Sequence, residues 1–186
     1  VGQDMGGGFG GKVSCDKGGV IGTKRSQQAG RPVKLLLDRE LELGIGGNRP
    51  SGYTHIKLGV KNDGTITAFE GSVIGTGGGG GYRLRAFPYV FEPKNRKTSM
   101  KGIRTNRGGQ RAWRAPSHPQ TCLLTFSALA DAAAKIGMDA AAFYKKNLDL
   151  TARPDVYAEQ LDIAMNIIGY ANRAHPRTKH DPRPAK

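Results

Sequence analysis

Apolar and polar residues alternate along the middle of the chain, from His55 to Val60 and again from Thr65 to Ile74. This period of two is typical of strands that bury one face. Between the two runs, Lys61-Asn62-Asp63-Gly64 supplies turn residues that tolerate positive φ. We therefore predict a β-hairpin over residues 55–74.

A helical spacing replaces the alternation after Pro119. Apolar residues then recur three or four positions apart, at Leu123, Phe126, Ala130, Ala133 and Ile136. This spacing predicts a helix with one inward face, and Gly137 stands where a helix of this kind ends.

Two further helices are predicted in the C-terminal part. Asp139 is placed to cap a short helix through Leu148, with Phe143 as its inward residue. A third helix is predicted over Asp155–Ile168. Its apolar stripe would consist of Tyr157, Leu161, Ala164 and Ile168.

The N-terminal third combines glycine with two apolar segments. We predict a short helix over Val20–Ala29 and a buried strand over Pro32–Asp38. The glycine run Gly77–Gly81 predicts a loop, or a place where the backbone packs against another body. The fold class is therefore α+β, with a mixed sheet that contains the hairpin and with C-terminal helices. Residues 1–170 form one domain, and the basic, proline-rich residues 171–186 are expected to be a mobile tail.

Composition narrows the classes of function. The chain has 28 glycines in 186 residues and a formal charge of +14, which favours nucleic acid, an anionic cofactor or an acidic partner. Cys15 and Cys122 lie in no CxxC pair, and no group of His, Cys and acidic residues has the spacing of metal ligands. No apolar run approaches the roughly 20 residues of a membrane helix.

The glycine run at Gly6–Lys12 fits two phosphate-binding patterns only formally. A dinucleotide fold requires an acid about 20 residues further on, and Arg31 stands there. A P-loop requires Ser or Thr after the lysine, and Val13 stands there. What the segment does offer is a series of amides without side chains around one aromatic ring.

Two motifs together point to one family. Gly-Gly-Gly-Phe-Gly-Gly-Lys at 6–12 resembles the glycine loop of molybdenum hydroxylases, the xanthine dehydrogenase and aldehyde oxidase family. Residues 105–106 and Ala-Trp-Arg-Ala-Pro-Ser-His-Pro-Gln at 112–120 resemble its second cofactor segment. Further similarity extends to about Tyr170. The fold would then be part of the molybdenum-cofactor-binding domain.

The resemblance implies a molybdopterin site, in the plain or the cytosine dinucleotide form of the cofactor. Its contacts in this chain would be Gly8, Phe9, Gly10 and Arg114, with no metal ligand from the protein. Members that act on xanthine carry an acid and a phenylalanine where this chain has Val13 and Pro116, and an upstream arginine that only Arg83 or Arg85 could match. An aldehyde or N-heterocycle, oxidised with water as the oxygen source, is the expected substrate.

The resemblance also implies partners. The family's general-base glutamate lies in a later segment, so no catalytic residue is expected in this chain, and Glu159 is interpreted as a solvated helix acid. Other segments or subunits would supply that glutamate, iron-sulfur clusters and a flavin (FAD) or other acceptor. We expect a bacterial-type soluble complex, in the cytoplasm or the periplasm. An inactive truncated fragment and a basic nucleic-acid-binding module are the alternatives.

Overall fold

The computed structural model describes residues 6–11, 15–79, 82, 84 and 87–172. The helices are α1 (Lys17–Ala29), α2 (Arg39–Ile45), α3 (His118–Lys135), α4 (Ala140–Lys146) and α5 (Pro154–Ile167). The strands are β1 (Ser51–Val60), β2 (Ile66–Thr76) and β3 (Asn95–Ile103), and two short 3₁₀ turns cover Leu148–Leu150 and Tyr170–Asn172. Of the predicted tail, residues 173–186 lie outside the described part of the chain.

The sheet confirms the hairpin and the mixed character of the fold. β1 and β2 are antiparallel neighbours, joined by a turn in which the Thr65 amide donates to the Asp63 carboxylate at 3.0 Å. β3 lies parallel to β2, with Asn95 opposite Ala68. The sequence did not predict β3, because all nine of its residues are exposed and carry no alternating apolar face.

The core lies between the hairpin and the helices α3 and α4. Its buried members are Ile66, Phe91, Leu129, Ala133 and Phe143. Phe143 is fully buried, as predicted. The Asn147 side chain connects this core to the hairpin, since it accepts from the Ile66 amide at 2.8 Å and donates to Gly64 O at 2.9 Å.

The inward face of α3 is the predicted one only in part, since Ala133 is buried and Phe126 and Ile136 pack against the core, as expected. Its buried residues are Thr121, Thr125, Leu129 and Ala133, four apart, whereas Leu123 is 67% exposed. The threonines can face inward because their hydroxyls are paired: Thr121 donates to Ser117 O at 3.0 Å, and Thr125 accepts from the Tyr89 amide at 2.8 Å. A search for apolar positions alone missed this buried stripe, because its first two residues are threonines whose hydroxyl groups are hydrogen-bonded.

The ends of the C-terminal helices follow the predicted signals. The Asp139 carboxylate accepts from the amides of Ala141 and Ala142, and Gly137 has a left-handed φ of 70° directly after α3. Helix α4 ends at Lys146, two residues before the predicted Leu148, because Asn147 turns its side chain to the core. On α5, Tyr157 and Leu161 are half-buried, but the other predicted stripe residues, Ala164 and Ile168, are exposed.

The N-terminal region holds one confirmed and one wrong prediction. Helix α1 covers the predicted Val20–Ala29 and begins earlier, at Lys17. The buried strand over Pro32–Asp38 is wrong, since these residues belong to no strand and Leu36 is 76% exposed. Their apolar side chains meet no neighbouring strand in the described part of the chain. Helix α2, which follows them, was not predicted.

Gly77 and Gly78, directly after β2, do pack against another segment, as expected, and residues 80 and 81 of the predicted loop lie outside the described part of the chain. Gly78 has a φ of 72°, and a Cβ there would lie 2.1 Å from Gly108 O. The amides of Thr105 and Gln110 donate to the carbonyls of Gly78 and Gly77. This contact fixes where the second motif begins relative to the sheet.

Among the described residues, no helix alone is long and apolar enough to cross a membrane. Helices α3 and α4 meet that criterion of length and composition only as a pair, and they are bent by 107° to one another.

Candidate functional site

The glycine loop forms a tight turn. The Gly11 amide donates to Gly8 O at 2.8 Å, and between them Phe9 and Gly10 have φ values of 50° and 98°. Backbone of this kind favours glycine at position 10, because a side chain there is strained at any rotamer. The turn presents the Phe9 ring, which is 53% exposed.

The structure places this loop directly against the second motif. The Arg114 amide donates to Phe9 O at 2.6 Å. A Cβ on Gly10 would lie 3.0 Å from the carbonyl carbon and oxygen of Ala112. The two backbones therefore approach so closely that only glycine fits between them.

Two side chains of the second motif surround the Phe9 ring. The Trp113 ring stacks on it with centroids 6.3 Å apart and an interplanar angle of 23°. The Arg114 guanidinium carbon lies 5.5 Å from the Phe9 centroid. Arg114 is exposed and makes no ion pair within the described residues, so its charge is available to a ligand.

Arg111 also reaches the glycine loop, which the sequence did not indicate. Its Nη2 donates to Gly11 O at 2.6 Å, and its Nη1 donates to the Asp16 carboxylate. Asp16 in turn caps α1 by accepting from the Gly19 amide at 3.1 Å. The Arg111 bond and the Gly19 bond lower the pKa of Asp16, so this carboxylate stays ionised at neutral pH.

Arg49 is the second residue that sequence reasoning missed. Its guanidinium donates to Arg114 O at 2.9 Å and to Ala115 O at 3.0 Å. Ala115 and Ser117 have φ values of 58° and 67°, which non-glycine residues seldom adopt. Arg49 therefore supports the turn that carries Arg114 into α3. The one sequence feature that could have indicated Arg49 was a basic residue close to the glycines at 46–47.

An open cleft of about 810 Å³ adjoins these residues. Its walls come from the glycine loop, α2, the segment before β1 and the second motif, and include Gly11, Arg39, Gly47, Arg49, Arg111 and Trp113. No group of three His, Cys or acidic residues that could hold a metal ion occurs among the residues described.

The structure thus brings Gly8, Phe9, Gly10 and Arg114 into one cluster. His118 is turned away, with its ring 5.5 Å from that of Tyr89 in an edge-to-face contact. Glu159 is exposed on α5, as expected. The comparison with members that act on xanthine depends on Val13, Arg83 and Arg85, among others. These three residues lie outside the described ranges.

The aromatic residues between 87 and 113 do not form a base-stacking surface. Phe91 is 3% exposed, and Phe87 packs edge-on against Phe69 at 5.4 Å. Tyr89 packs against His118 and Phe126. Trp113 is exposed, but it stacks on Phe9. Trp113 is thus the only large exposed ring of these four, and the nucleic-acid alternative is not favoured.

Comparison with known proteins agrees with this geometry. Residues 1–148 match the family model of the molybdopterin cofactor-binding domain. Aldehyde oxidase 2 of Rattus norvegicus is 29% identical over 164 residues, which are 83% of this chain and 12% of that protein. The xanthine dehydrogenase/oxidase of Gallus gallus is 30% identical over 155 residues, 77% of this chain and 11% of that protein.

Solved structures share the fold. The aldehyde oxidoreductase from Desulfovibrio gigas matches with a TM-score of 0.71 and 23% identity, over 90% of this chain and 20% of that one. The quinoline 2-oxidoreductase from Pseudomonas putida 86 matches with a TM-score of 0.74 and 16% identity, over 90% of this chain and 24% of that one. At these identities the likeness shows the fold alone.

The mixed sheet of this chain, with its glycine loop held against the second motif, thus has the architecture of a cofactor-binding domain. The chain belongs to the molybdopterin cofactor-binding domain family, of the type found in aldehyde oxidases and xanthine dehydrogenases. It spans 11 to 12% of the length of the two relatives given above.

Proposed function

We propose that Gly8, Phe9, Gly10 and Arg114 hold the molybdopterin cofactor of a molybdenum hydroxylase. The observation that carries this proposal is the contact between the two motifs, in which Arg114 and the glycine loop share one backbone hydrogen bond of 2.6 Å. A free guanidinium, an exposed aromatic ring and glycine backbone then lie within one small surface.

The residues present fit an anionic, flat ligand. Within the described part of the chain, the amides of Gly8, Phe9 and Gly10 make no hydrogen bond. Adjacent unpaired amides bind anionic oxygens well. The Arg114 guanidinium adds a fixed positive charge and planar donors. The glycines let the ligand approach the backbone without meeting a Cβ.

The chain's own part in the reaction is to bind and orient. When bound, the cofactor supplies the redox chemistry that hydroxylates an aldehyde or an N-heterocycle with oxygen from water. Phe9 and its neighbouring glycines would form one wall of the site, and Arg114 would fix the cofactor's polar rim, in the plain or the cytosine dinucleotide form.

Other parts of the enzyme would supply the remaining catalytic and electron-transfer groups. The general-base glutamate comes from another segment or subunit, and iron-sulfur clusters and FAD or another acceptor lie on partner chains. The relatives named above are several times longer than this chain, which supports this division of labour. The 186 residues alone would then turn over no substrate.

A steric variant tests the loop. Gly10→Val, in the chain assembled with the rest of its enzyme, should abolish molybdopterin uptake, because its side chain would meet the Ala112 backbone. Gly30→Val is a matched control: Gly30 also has a left-handed φ, of 64°, but nothing lies within 4 Å of its Cβ position. Molybdopterin would be quantified after release as its fluorescent oxidation product, and molybdenum by mass spectrometry.

A charge variant tests Arg114 in the same assembly. Loss of charge-assisted bonds worth roughly 1.5 to 3 kcal/mol would weaken cofactor binding by about tenfold or more in Arg114→Ala. Arg104→Ala removes an exposed charge outside the cluster and should keep full loading. Normal molybdopterin content in both Gly10→Val and Arg114→Ala would refute the proposed function.

A further inference from the structure

We infer that Arg111, paired with Asp16, is a positioning residue that holds the glycine loop in the shape that receives the cofactor. The inference rests on the proposed function and adds to it a pair of residues that contact the loop from outside the cofactor surface. Three observations support it: the bonds that Arg111 makes, its burial and the role of its partner.

The bonds of Arg111 join three segments. Nη2 donates to Gly11 O at 2.6 Å, where the glycine loop ends. Nη1 donates to the Asp16 carboxylate at the start of α1, and more weakly to Gly46 O at 3.4 Å. One planar group with fixed donor directions thus fixes the loop relative to α1 and to the segment before β1.

The Arg111 backbone is itself held in place. Its amide donates to Asn48 O at 3.1 Å, and its Cβ is so near Gly47 that a side chain there would lie 2.5 Å away. The Arg111 side chain is only 25% exposed. The guanidinium therefore reaches Gly11 from a fixed backbone position and binds it in a partly buried setting.

Arg111 and Arg114 therefore have different tasks although they lie only three positions apart. Both terminal nitrogens of Arg111 already bind protein oxygens, whereas Arg114 is exposed and makes no ion pair among the described residues. Arg111 acts on the ligand through Gly11, and Arg114 acts on it directly. The free cation would bind the cofactor, and the occupied one would shape the loop.

Hydrogen exchange of the Gly11 and Arg114 amides, which donate to Gly8 O and Phe9 O of the loop, tests the pair in the full 186-residue chain without any cofactor. Arg111→Met and Asp16→Asn should each accelerate this loop exchange by about tenfold, the effect of losing one charge-assisted bond. Arg111→Lys keeps the charge but offers no second planar donor, so it should restore part of the protection. Exchange in α3 and α4 should stay unchanged in all three variants.

The matched control is Arg39→Met. Arg39 borders the same cleft, but it pairs with Glu42 on its own helix at 2.8 Å. Removing this charge should leave loop exchange as in the unaltered chain. An equal acceleration in Arg39→Met would show a general effect of charge and would overturn the inference.

Molybdopterin content of the same variants in the assembled enzyme separates the two proposals. Faster loop exchange together with reduced molybdopterin in Arg111→Met supports both. Unchanged loop exchange in Arg111→Met and Asp16→Asn overturns the positioning role, whatever the cofactor content. If the unaltered assembly carries no molybdopterin, the proposed function fails, and with it the role of the pair in cofactor binding.

Discussion

The N-terminal helices α1 and α2 and the later helices α3 and α4 are stabilised in different ways. Helices α3 and α4 bury six residues between them, including Leu129 and Phe143, whereas α1 and α2 bury none. The N-terminal region is instead held by polar contacts, chiefly those of Arg111 and Arg49 with backbone carbonyls. The glycine loop thus belongs to a region with little apolar burial.

This difference separates a rigid apolar core from a loop that can adapt to a ligand. A buried apolar core tolerates little displacement, because interiors are packed at crystal-like density. A loop held by a few directed bonds can adapt to a ligand and still keep its register. Low local stability is common where a protein binds its ligands.

The largest expected effect is in the core. Phe143→Ala should lower the free energy of unfolding by about 3 to 5 kcal/mol, because it removes a fully buried ring and leaves a cavity. Leu123→Ala, on the exposed face of α3, should change it by less than about 0.5 kcal/mol. Urea unfolding followed by far-ultraviolet circular dichroism measures both. Equal costs would contradict the burial described for α3.

The sequence predicted the fold best where pattern and packing coincide. The hairpin, the Asp139 cap and the buried Phe143 follow from short-range rules that hold in any surroundings. The strand predicted over 32–38 was wrong because an apolar run becomes a strand only beside a partner strand. β3 escaped prediction for the opposite reason: it pairs with β2 although none of its residues is buried.

Of the site, only the residues inside the two motifs were predictable. Each motif is recognisable from its own stretch of sequence. The resemblance to molybdenum hydroxylases implied that both motifs belong to one cofactor site. Arg111 and Arg49 act through carbonyls far away in the sequence, at Gly11 and at Arg114 and Ala115. No spacing rule encodes such a contact, because any carbonyl is an acceptor and only the fold selects which one is near.

Acid pH is expected to have a smaller effect on the stability of the fold. Two carboxylates, Asp16 at the start of α1 and Asp63 in the hairpin turn, report it. The pKa of Asp16 is lowered chiefly by Arg111, and that of Asp63 chiefly by the Thr65 amide. For each carboxylate, the stabilising contribution is full above the unfolded pKa of about 3.9 and is lost as pH falls through the lower folded pKa. Acid should therefore weaken both contacts.

An NMR titration can follow the two contacts separately. The amide signals of Gly19 and Thr65, which donate to Asp16 and Asp63, should shift with midpoints below 3.9. In Arg111→Met the Gly19 midpoint should move up towards the ordinary value, while the Thr65 midpoint stays in place. A Gly19 midpoint that does not respond to the loss of Arg111 would argue against the ion pair.

The smallest effect is expected in the exposed apolar segment before α2. Leu36→Gln should change the free energy of unfolding of this chain by less than about 0.5 kcal/mol, because the side chain is 76% exposed. Leu129→Ala, at a position 2% exposed, should cost about 2 to 5 kcal/mol by comparison. The same urea experiment measures both, and a large cost at Leu36 would show that residues 32–38 pack against a surface that the described fold lacks.

The stacking of Trp113 on Phe9 has one more consequence. Trp113 is the single tryptophan of the chain, so its emission reports on the place where the two motifs meet. The contact joins residues about one hundred positions apart, and such long-range closure is slow compared with hairpin and helix formation. In stopped-flow refolding, the circular dichroism signal should therefore recover before the tryptophan emission, and the site that awaits the cofactor would be the last part of the chain to form.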